Sequence, residues 1–327
     1  MRFSRFVLVA IFLGLLLSLA LLAQETMLIA TLLGHTDQVT SVGFNIDGTI
    51  LASASRDHTV RLWEVSSGKL LETLASHTET VNCVSFSPDG RFLASGSNDR
   101  TIKLWNAQTF ELLATLSGRM GGVKAIAFNA DGSMLIAASD NKLVTFWSMS
   151  SFSVIATITE TMNEVGAIAI SPGGNLIATG TMARVTVWDA KSHQPLHVSM
   201  RHTSSILVAA FSPNGRLLAT GSADKRIHIT DTATYSIINL PTERSGYVKS
   251  LSFSPDGSIL ASGEWPIAPK WRDRQIRLWD MKTMQCIATL TGHDLGSHVL
   301  SVAFSPDGDL LASGGSDNTI RLWSLKL

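Results

Sequence analysis

The chain has 327 residues, 45% of them hydrophobic and 16% charged, with 26 Lys and Arg against 26 Asp and Glu. That composition excludes a disordered chain, and a formal net charge of zero gives no general pull toward nucleic acid. Cys83 and Cys286 are the only cysteines, too few for a metal cluster or a redox spacing, and they read as buried free thiols.

At the N-terminus, Arg2 and Arg5 precede an apolar run over residues 6–23, followed by Gln24, Glu25 and Thr26. Basic residues before an apolar stretch follow the pattern of a secretory signal. As a helix the run would reach about 27 Å, close to a bilayer core, so an uncleaved anchor is the alternative. Either way the basic end stays inside and the rest of the chain is expected outside. The expected division is therefore a leader over residues 1–26 and one structural unit over 27–327. The expected location is extracytoplasmic, secreted or anchored by residues 6–23. A cytoplasmic protein beginning near Met27 is the alternative.

After the leader comes an apolar strand pattern at 27–32 (MLIATL), and then a repeat. A turn recurs seven times, as Asn45-Ile46-Asp47-Gly48, Ser87-Pro88-Asp89-Gly90, Asn129-Ala130-Asp131-Gly132, Ser171-Pro172-Gly173-Gly174, Ser212-Pro213-Asn214-Gly215, Ser254-Pro255-Asp256-Gly257 and Ser305-Pro306-Asp307-Gly308. Pro pre-sets φ, Asp or Asn bonds the local backbone, and Gly accepts the strained exit. Tryptophan follows each turn at Trp63, Trp105, Trp147, Trp188, Trp279 and Trp323, with Thr230 in the remaining slot. The steps are 42, 42, 41, 42, 49 and 44 residues. Within one repeat, VNCVSF, FLASGS, TIKLW and LLATL (81–86, 92–97, 101–105, 112–116) each read as a short strand. Four short strands per repeat at this period define an all-β, seven-bladed propeller.

Gly34-His35, Gly292-His293, Leu104-Trp105 and Trp279-Asp280 resemble the Gly-His and Trp-Asp marks of the WD-repeat family. The resemblance covers 27–327. It implies that the strand at 27–32 completes the last blade, whose own repeat supplies only three strands; physically this removes two open sheet edges.

His35, Ser53, Asp57 and Trp63 recur as His77, Ser95, Asp99 and Trp105, and again as His293, Ser313, Asp317 and Trp323. A hydrolase triad occurs once, in a cleft, without a Trp in register; three copies exclude it. The family resemblance implies a structural hydrogen-bond relay, stabilising when every member is satisfied. Other repeats depart from the pattern. The third has Arg119, Ala137 and Asn141. The fourth has Thr161 and a turn at Met182-Ala183 one residue short. The fifth keeps His202, Thr220 and Asp224 with Thr230 for Trp, and the sixth has Arg244 and no tight turn. Blades three, four and six are expected to lack the relay and to form the less rigid side.

The His-bearing loops and Asp-bearing turns share one face, which the resemblance makes the docking surface together with the channel mouth. Arg56, Asn98, Asp140, Met182, Ala223 and Ser316 are expected there from the turns. Gln38, Glu79, Met120, Met162, Glu164, Tyr247 and His298 are expected there from the loops. The mixed charge and the methionines fit a protein or peptide better than a polyanion. The sixth repeat carries about seven extra residues, at 264–274 (EWPIAPKWRDR). Its off-register tryptophans and its arginines are hot-spot residue types. Trp265, Lys270, Trp271, Arg272 and Arg274 are therefore the expected main contact, with Tyr247, His298, Arg56 and Asn98 around them. The expected function is a non-catalytic scaffold for a protein or peptide partner, monomeric, with no cofactor, no metal and no nucleic acid. Any membrane contact would run only through the N-terminal segment. The alternatives are an extracytoplasmic sensor or ligand-binding module and, with less support, an enzyme sited in the channel.

Overall fold

The structure, a computed structural model, describes residues 28–159, 163–242, 246–266, 275–294 and 297–325. Every regular element among them is a strand, and the strands form seven four-stranded antiparallel sheets. The sheets follow the repeats: blade one spans 39–74, two 81–116, three 123–159, four 167–199, five 206–239 and six 246–291. Blade seven spans 299–324 and takes the strand Leu28–Leu32 as its fourth. The seven-bladed ring and its closure by the N-terminal strand are as the sequence predicts. Leu28 pairs with Trp323, Ala30 with Leu322, Thr31 with Arg321 and Leu32 with Ile320. Met27 and the apolar run at 6–23 lie outside the described residues.

The turns form for the reasons read from their residues. All seven turn glycines have φ between +69° and +78°, a region that costs a residue with a Cβ. Where Asp or Asn precedes the glycine, its side chain caps the backbone two residues on, as when Asp47 Oδ1 accepts from Thr49 N at 3.0 Å and Asp256 Oδ1 from Ser258 N at 3.0 Å.

The core lies between blades rather than within them. Each buried cluster joins two neighbours; Ala52, Ala54, Leu62 and Leu74 of blade one, for example, pack on Val81, Val84, Leu93 and Trp105 of blade two. The same contact closes the ring, where Leu32, Ala312, Ile320 and Leu322 of blade seven meet Val39, Val42 and Leu51 of blade one. This spacing requires a small residue at one register of every second strand, filled by Ala54, Gly96, Ala138, Gly180, Gly221, Gly263 and Gly314. A Cβ on Gly314 would lie 2.6 Å from Val39 Cγ1, and one on Gly96 would lie 2.5 Å from Val123 Cγ1. Seam hydroxyls add polar stitches: Ser41, Ser250 and Ser301 accept the backbone N–H of Val84, Val302 and Val42 on the following blade.

One expectation about composition fails. Cys83 is buried, and burial pushes its thiol up to about 12, but Cys286 is exposed. Cys286 is the second residue of Gln285–Thr291, the outermost strand of blade six, whose first three residues are exposed.

Candidate functional site

The polar constellation assembles in the blades where the sequence repeats it. In blade one, His35 Nδ1 lies 2.7 Å from Asp57 Oδ2 and Nε2 lies 2.7 Å from Ser53 Oγ, which also accepts Trp63 Nε1–H at 2.9 Å. Blade two repeats this with His77, Asp99, Ser95 and Trp105 at 2.7, 2.8 and 3.2 Å. Blade seven does so with His293, Asp317, Ser313 and Trp323 at 2.9, 2.8 and 2.9 Å. Burial alone would raise the Asp57 and Asp317 carboxyls. The hydrogen bonds from His35 and Thr59 to Asp57, and from His293, the Asp294 amide and Thr319 to Asp317, outweigh it and hold both well below the usual carboxylate range. Each Ser hydroxyl is held by both His and Trp in the interior, so the set ties strands together and offers no free nucleophile.

The divergent blades do not lose the relay in one way. Blade four keeps Trp188 bonded to Thr179 at 2.9 Å. Its short turn closes from Thr181 N to Arg184 O, with Ala183 at φ +56°. Blade six keeps Trp279 on Ser262 at 2.9 Å and adds a buried ion pair between Arg277 and Glu264. It is therefore better tied than the sequence implied. In blade three, Trp147 Nε1 is buried and has no partner among the described residues, because Ala137 stands where the other blades carry a hydroxyl. Thr161 and Arg244 lie outside the described residues.

Blade five holds what sequence reasoning missed. His202 bonds Asp224 at 2.9 Å and Thr220 at 3.0 Å, and His228 stacks on it with centroids 3.8 Å apart and rings inclined by 14°. His228 sits two residues before Thr230, at the register where blades one, six and seven carry Arg61, Arg277 and Arg321. The paired replacement of Arg by His and Trp by Thr was the available signal. Burial above all, and then the charges of His202, Arg226 and Arg201, bring His228 down to about 4 against the pull of Asp224.

The channel is lined by one residue from each blade. Six inner strands carry a register shift at the same place, between Val39 and Ser41, Val81 and Cys83, Val123 and Ala125, Ile206 and Val208, Val248 and Ser250, and Val299 and Ser301. A bulge of this kind re-aims one side chain. The residues so placed are Thr40, Asn82, Lys124, Leu207, Lys249 and Leu300. With Gly166 of blade four they ring a cavity of about 380 Å³. Thr40 and Asn82 donate to Val81 O and Val123 O of the next blade. Asn98 Oδ1 accepts from Asn82 Nδ2 at 2.7 Å and Lys124 Nζ at 3.1 Å, and Lys124 reaches Asp140 at 3.5 Å.

Of the expected partner contacts, Trp265, Tyr247 and His298 come together. Trp265 stacks on His298 at 4.5 Å and 21°, and lies 6.4 Å from Tyr247, its cross-strand partner. Trp265 belongs to the strand Ile259–Pro266 rather than to a loop. The first part of the insertion lengthens a hairpin, because Gly246 and Tyr247 offer it pairing partners. Arg56 is exposed and lines the cavity with Trp265. Asn98 is only half-buried, but its carboxamide is engaged in the channel network. Glu79, Glu164 and Met182 are exposed, whereas Met120 is buried in the blade two–three core and leaves the docking set. Lys270, Trp271, Arg272, Arg274 and Met162 lie outside the described residues.

A closed seven-sheet ring with a repeated His–Ser–Asp–Trp relay defines a repeat propeller. Six stretches, 26–64, 68–106, 110–148, 193–231, 236–280 and 284–324, match the family described as WD domain, G-beta repeat. They cover well over half of the chain, which therefore belongs to this family. The intervening repeat, ending at Trp188, is the one with the shortened turn.

Over 56 residues (17% of this chain) it is 43% identical to the nuclear distribution protein PAC1 of Arthroderma otae, covering 12% of that protein. Over 51 residues (16%) it is 45% identical to the anaphase-promoting complex subunit cdh1 of Dictyostelium discoideum, covering 6% of it. Over 65 residues (18%) it is 42% identical to the small ribosomal subunit protein RACK1y of Oryza sativa subsp. japonica, covering 18%. The chain thus spans less than a fifth of each. These names, of a nuclear distribution protein, a subunit of a multiprotein complex and a ribosomal subunit protein, stand against the extracytoplasmic placement, which is withdrawn. Among the described residues no helix is long and apolar enough to cross a membrane.

Two outcomes test the relay. Ser95→Ala removes the hydroxyl that bonds His77 Nε2 and accepts from Trp105 Nε1–H, and is expected to cost about 1–3 kcal/mol in urea unfolding. Ala137→Ser gives Trp147 its missing acceptor and is expected to stabilise by about 0.5–1.5 kcal/mol; an unchanged midpoint for both would contradict the relay.

Blade five makes stability pH-dependent in a definite direction. Folded His228 titrates at about 4 against an ordinary 6.5, so between those values the unfolded chain binds more protons and stability falls as pH falls. His228→Phe keeps a ring on His202 and is expected to abolish about 3 kcal/mol of that loss between pH 7 and pH 4. Equal acid sensitivity of the two proteins in chemical unfolding would refute this.

Proposed function

We propose that this chain is a non-catalytic, monomeric scaffold that captures a protein or peptide partner on the face bearing the channel mouth. The observation that carries the reading is the cluster of Tyr247, Trp265 and His298, three rings gathered from blades six and seven, of which Trp265 lines the cavity. Amphipathic rings of this kind supply much of the binding energy at protein interfaces. The lengthened hairpin of blade six carries Trp265, and Arg56 lines the same cavity from blade one. Lys270, Trp271, Arg272 and Arg274, which follow Trp265 in the sequence, are proposed as further contacts of the same partner.

A scaffold fits the site better than an enzyme. The repeated His, Ser and Asp side chains are committed to one another, and the titratable groups that line the cavity are three cations and Glu164. The ring closes within one chain, which supports the monomer. No observation favours the sensor.

The test is affinity capture with the full chain and with Trp265→Ala/Trp271→Ala, both checked by thermal unfolding. The expected result is a set of proteins retained by the first and released by the second at equal foldedness. Retention of the same proteins by the variant would defeat the proposal.

A further inference from the structure

The loop-face reading leaves open what the cavity at the centre of that face accepts, and the ring of bulge residues answers in charge. Lys249 occupies the blade-six position. Its ring neighbours are Leu207 on blade five and Leu300 on blade seven, so apolar residues flank it on both sides of the ring. Ser250, beside it, has its hydroxyl committed to Val302 N of blade seven at 2.9 Å. Lys124 faces it from blade three, three blades away around a ring of seven, and Arg56 reaches the same cavity from the blade-one turn.

Among the described residues no carboxylate lies within ion-pairing distance of Lys249 or Arg56. Lys124 is tied to Asn98 and Asp140, and Glu164 is the acidic residue at the wall. Glu264, the nearest acidic residue in sequence on the paired strand, is taken by Arg277.

A lysine held between two leucines and facing two other cations is an unfavourable arrangement for the ring alone. A half-buried cation loses hydration without regaining it from a counter-charge. Burial, followed by the charges of Arg56 and Lys124, accordingly lowers the Lys249 ammonium below its ordinary value. Packing does not require a charge there, since blades five and seven fill the same position with leucine. An anion entering the mouth would meet Lys249 at the wall and Arg56 at the rim. The leucines and Trp265 would cover apolar atoms beside it.

We infer that the channel mouth is an anion-receiving site that takes the carboxylate or phosphoryl group of a peptide segment from a protein partner, with Lys249 as its central contact and Arg56 and Lys124 flanking. The inference rests on the loop-face reading and names what that face accepts. A cavity of about 380 Å³ lies at the lower end of the range for ligand sites, room for an anionic side chain and its immediate neighbours. Affinity drawn from one desolvated charge pair should be strongly dependent on that charge. A nucleic acid would instead need a track of cations, and the ring alternates Lys124 and Lys249 with Leu207, Leu300 and Gly166.

The test uses fluorophore-labelled 12-residue peptide pools in solution, degenerate except for a central position fixed as Glu, phosphoserine or Gln between two leucines. Binding of the full chain is read by fluorescence polarisation at constant ionic strength. The Glu or phosphoserine pool is expected to bind at least about tenfold more tightly than the Gln pool. Equal binding of the two anionic pools identifies a carboxylate as sufficient, and preference for phosphoserine identifies a phosphorylated source. Lys249→Met, whose side chain suits the leucine wall, is expected to erase the preference and to raise the melting temperature in the absence of peptide. Lys249→Arg is expected to restore the preference.

Binding of the Gln pool as tightly as the others, binding of none, or an anion preference that survives Lys249→Met would overturn the inference. So would a single-stranded DNA competitor displacing the anionic pools at equal charge. These failures leave the loop-face reading standing, because that reading fails separately, by retention of captured proteins when both tryptophans are replaced.

Discussion

The pairing of Leu28–Leu32 with Ile320–Ser324 is the interaction on which the rest of the molecule depends. Every buried cluster in this protein spans two blades, so a sheet without a neighbour on each side has an uncovered face. Six contacts are made between successive repeats. The seventh joins the two ends of the chain, and there Leu32, Val39, Leu51 and Ile320 become one apolar seam. The geometry of the channel follows from that closure. Seven inner strands converge, six of them with a bulge residue turned to the axis, and Arg56, Lys124 and Lys249 share one cavity only in a complete ring.

Two kinds of polar chemistry coexist on this frame. The relay is inward-looking: His35, His77 and His293 each have both ring nitrogens engaged, and the Asp partners are held ionised by the donors around them. Its repetition in three blades, with a variant in blade five, marks it as a fastening. The channel mouth is the opposite case. Its cations are drawn from blades one, three and six, and Lys249 lies next to leucines rather than carboxylates. A fold keeps such an arrangement where something other than the fold uses it.

The all-β ring, its seven blades, the turn chemistry and the three full relays could be read from residue spacing, because each rests on local rules that recur from blade to blade. Features that depend on one blade meeting another could not. His228 looked like an ordinary strand residue until the fold stacked it on His202, and Lys249 is an alternating polar residue in a strand until the bulge turns it into the channel. Asn98 was expected to face a partner; its proximity to Asn82 and Lys124 draws it into the channel network. Met120 was placed on the docking face by its loop position, and the blade two–three core claims it. Trp265 stands among the extra residues of the sixth repeat, and that these lengthen a hairpin depends on the partners that Tyr247 and Gly246 offer. The extracytoplasmic placement came from composition at the N-terminus, which lies outside the described residues, and the names of the relatives contradict it.

The central claim is tested most directly by native-state amide hydrogen exchange on residues 28–32 of the full chain. If this strand closes the ring, its inward-bonded amides exchange as slowly as those of Ile320–Ser324, both limited by unfolding of the whole propeller. Exchange of residues 28–32 at the rate of an unpaired chain, with the rest of blade seven still protected, would show that the circle is not locked there.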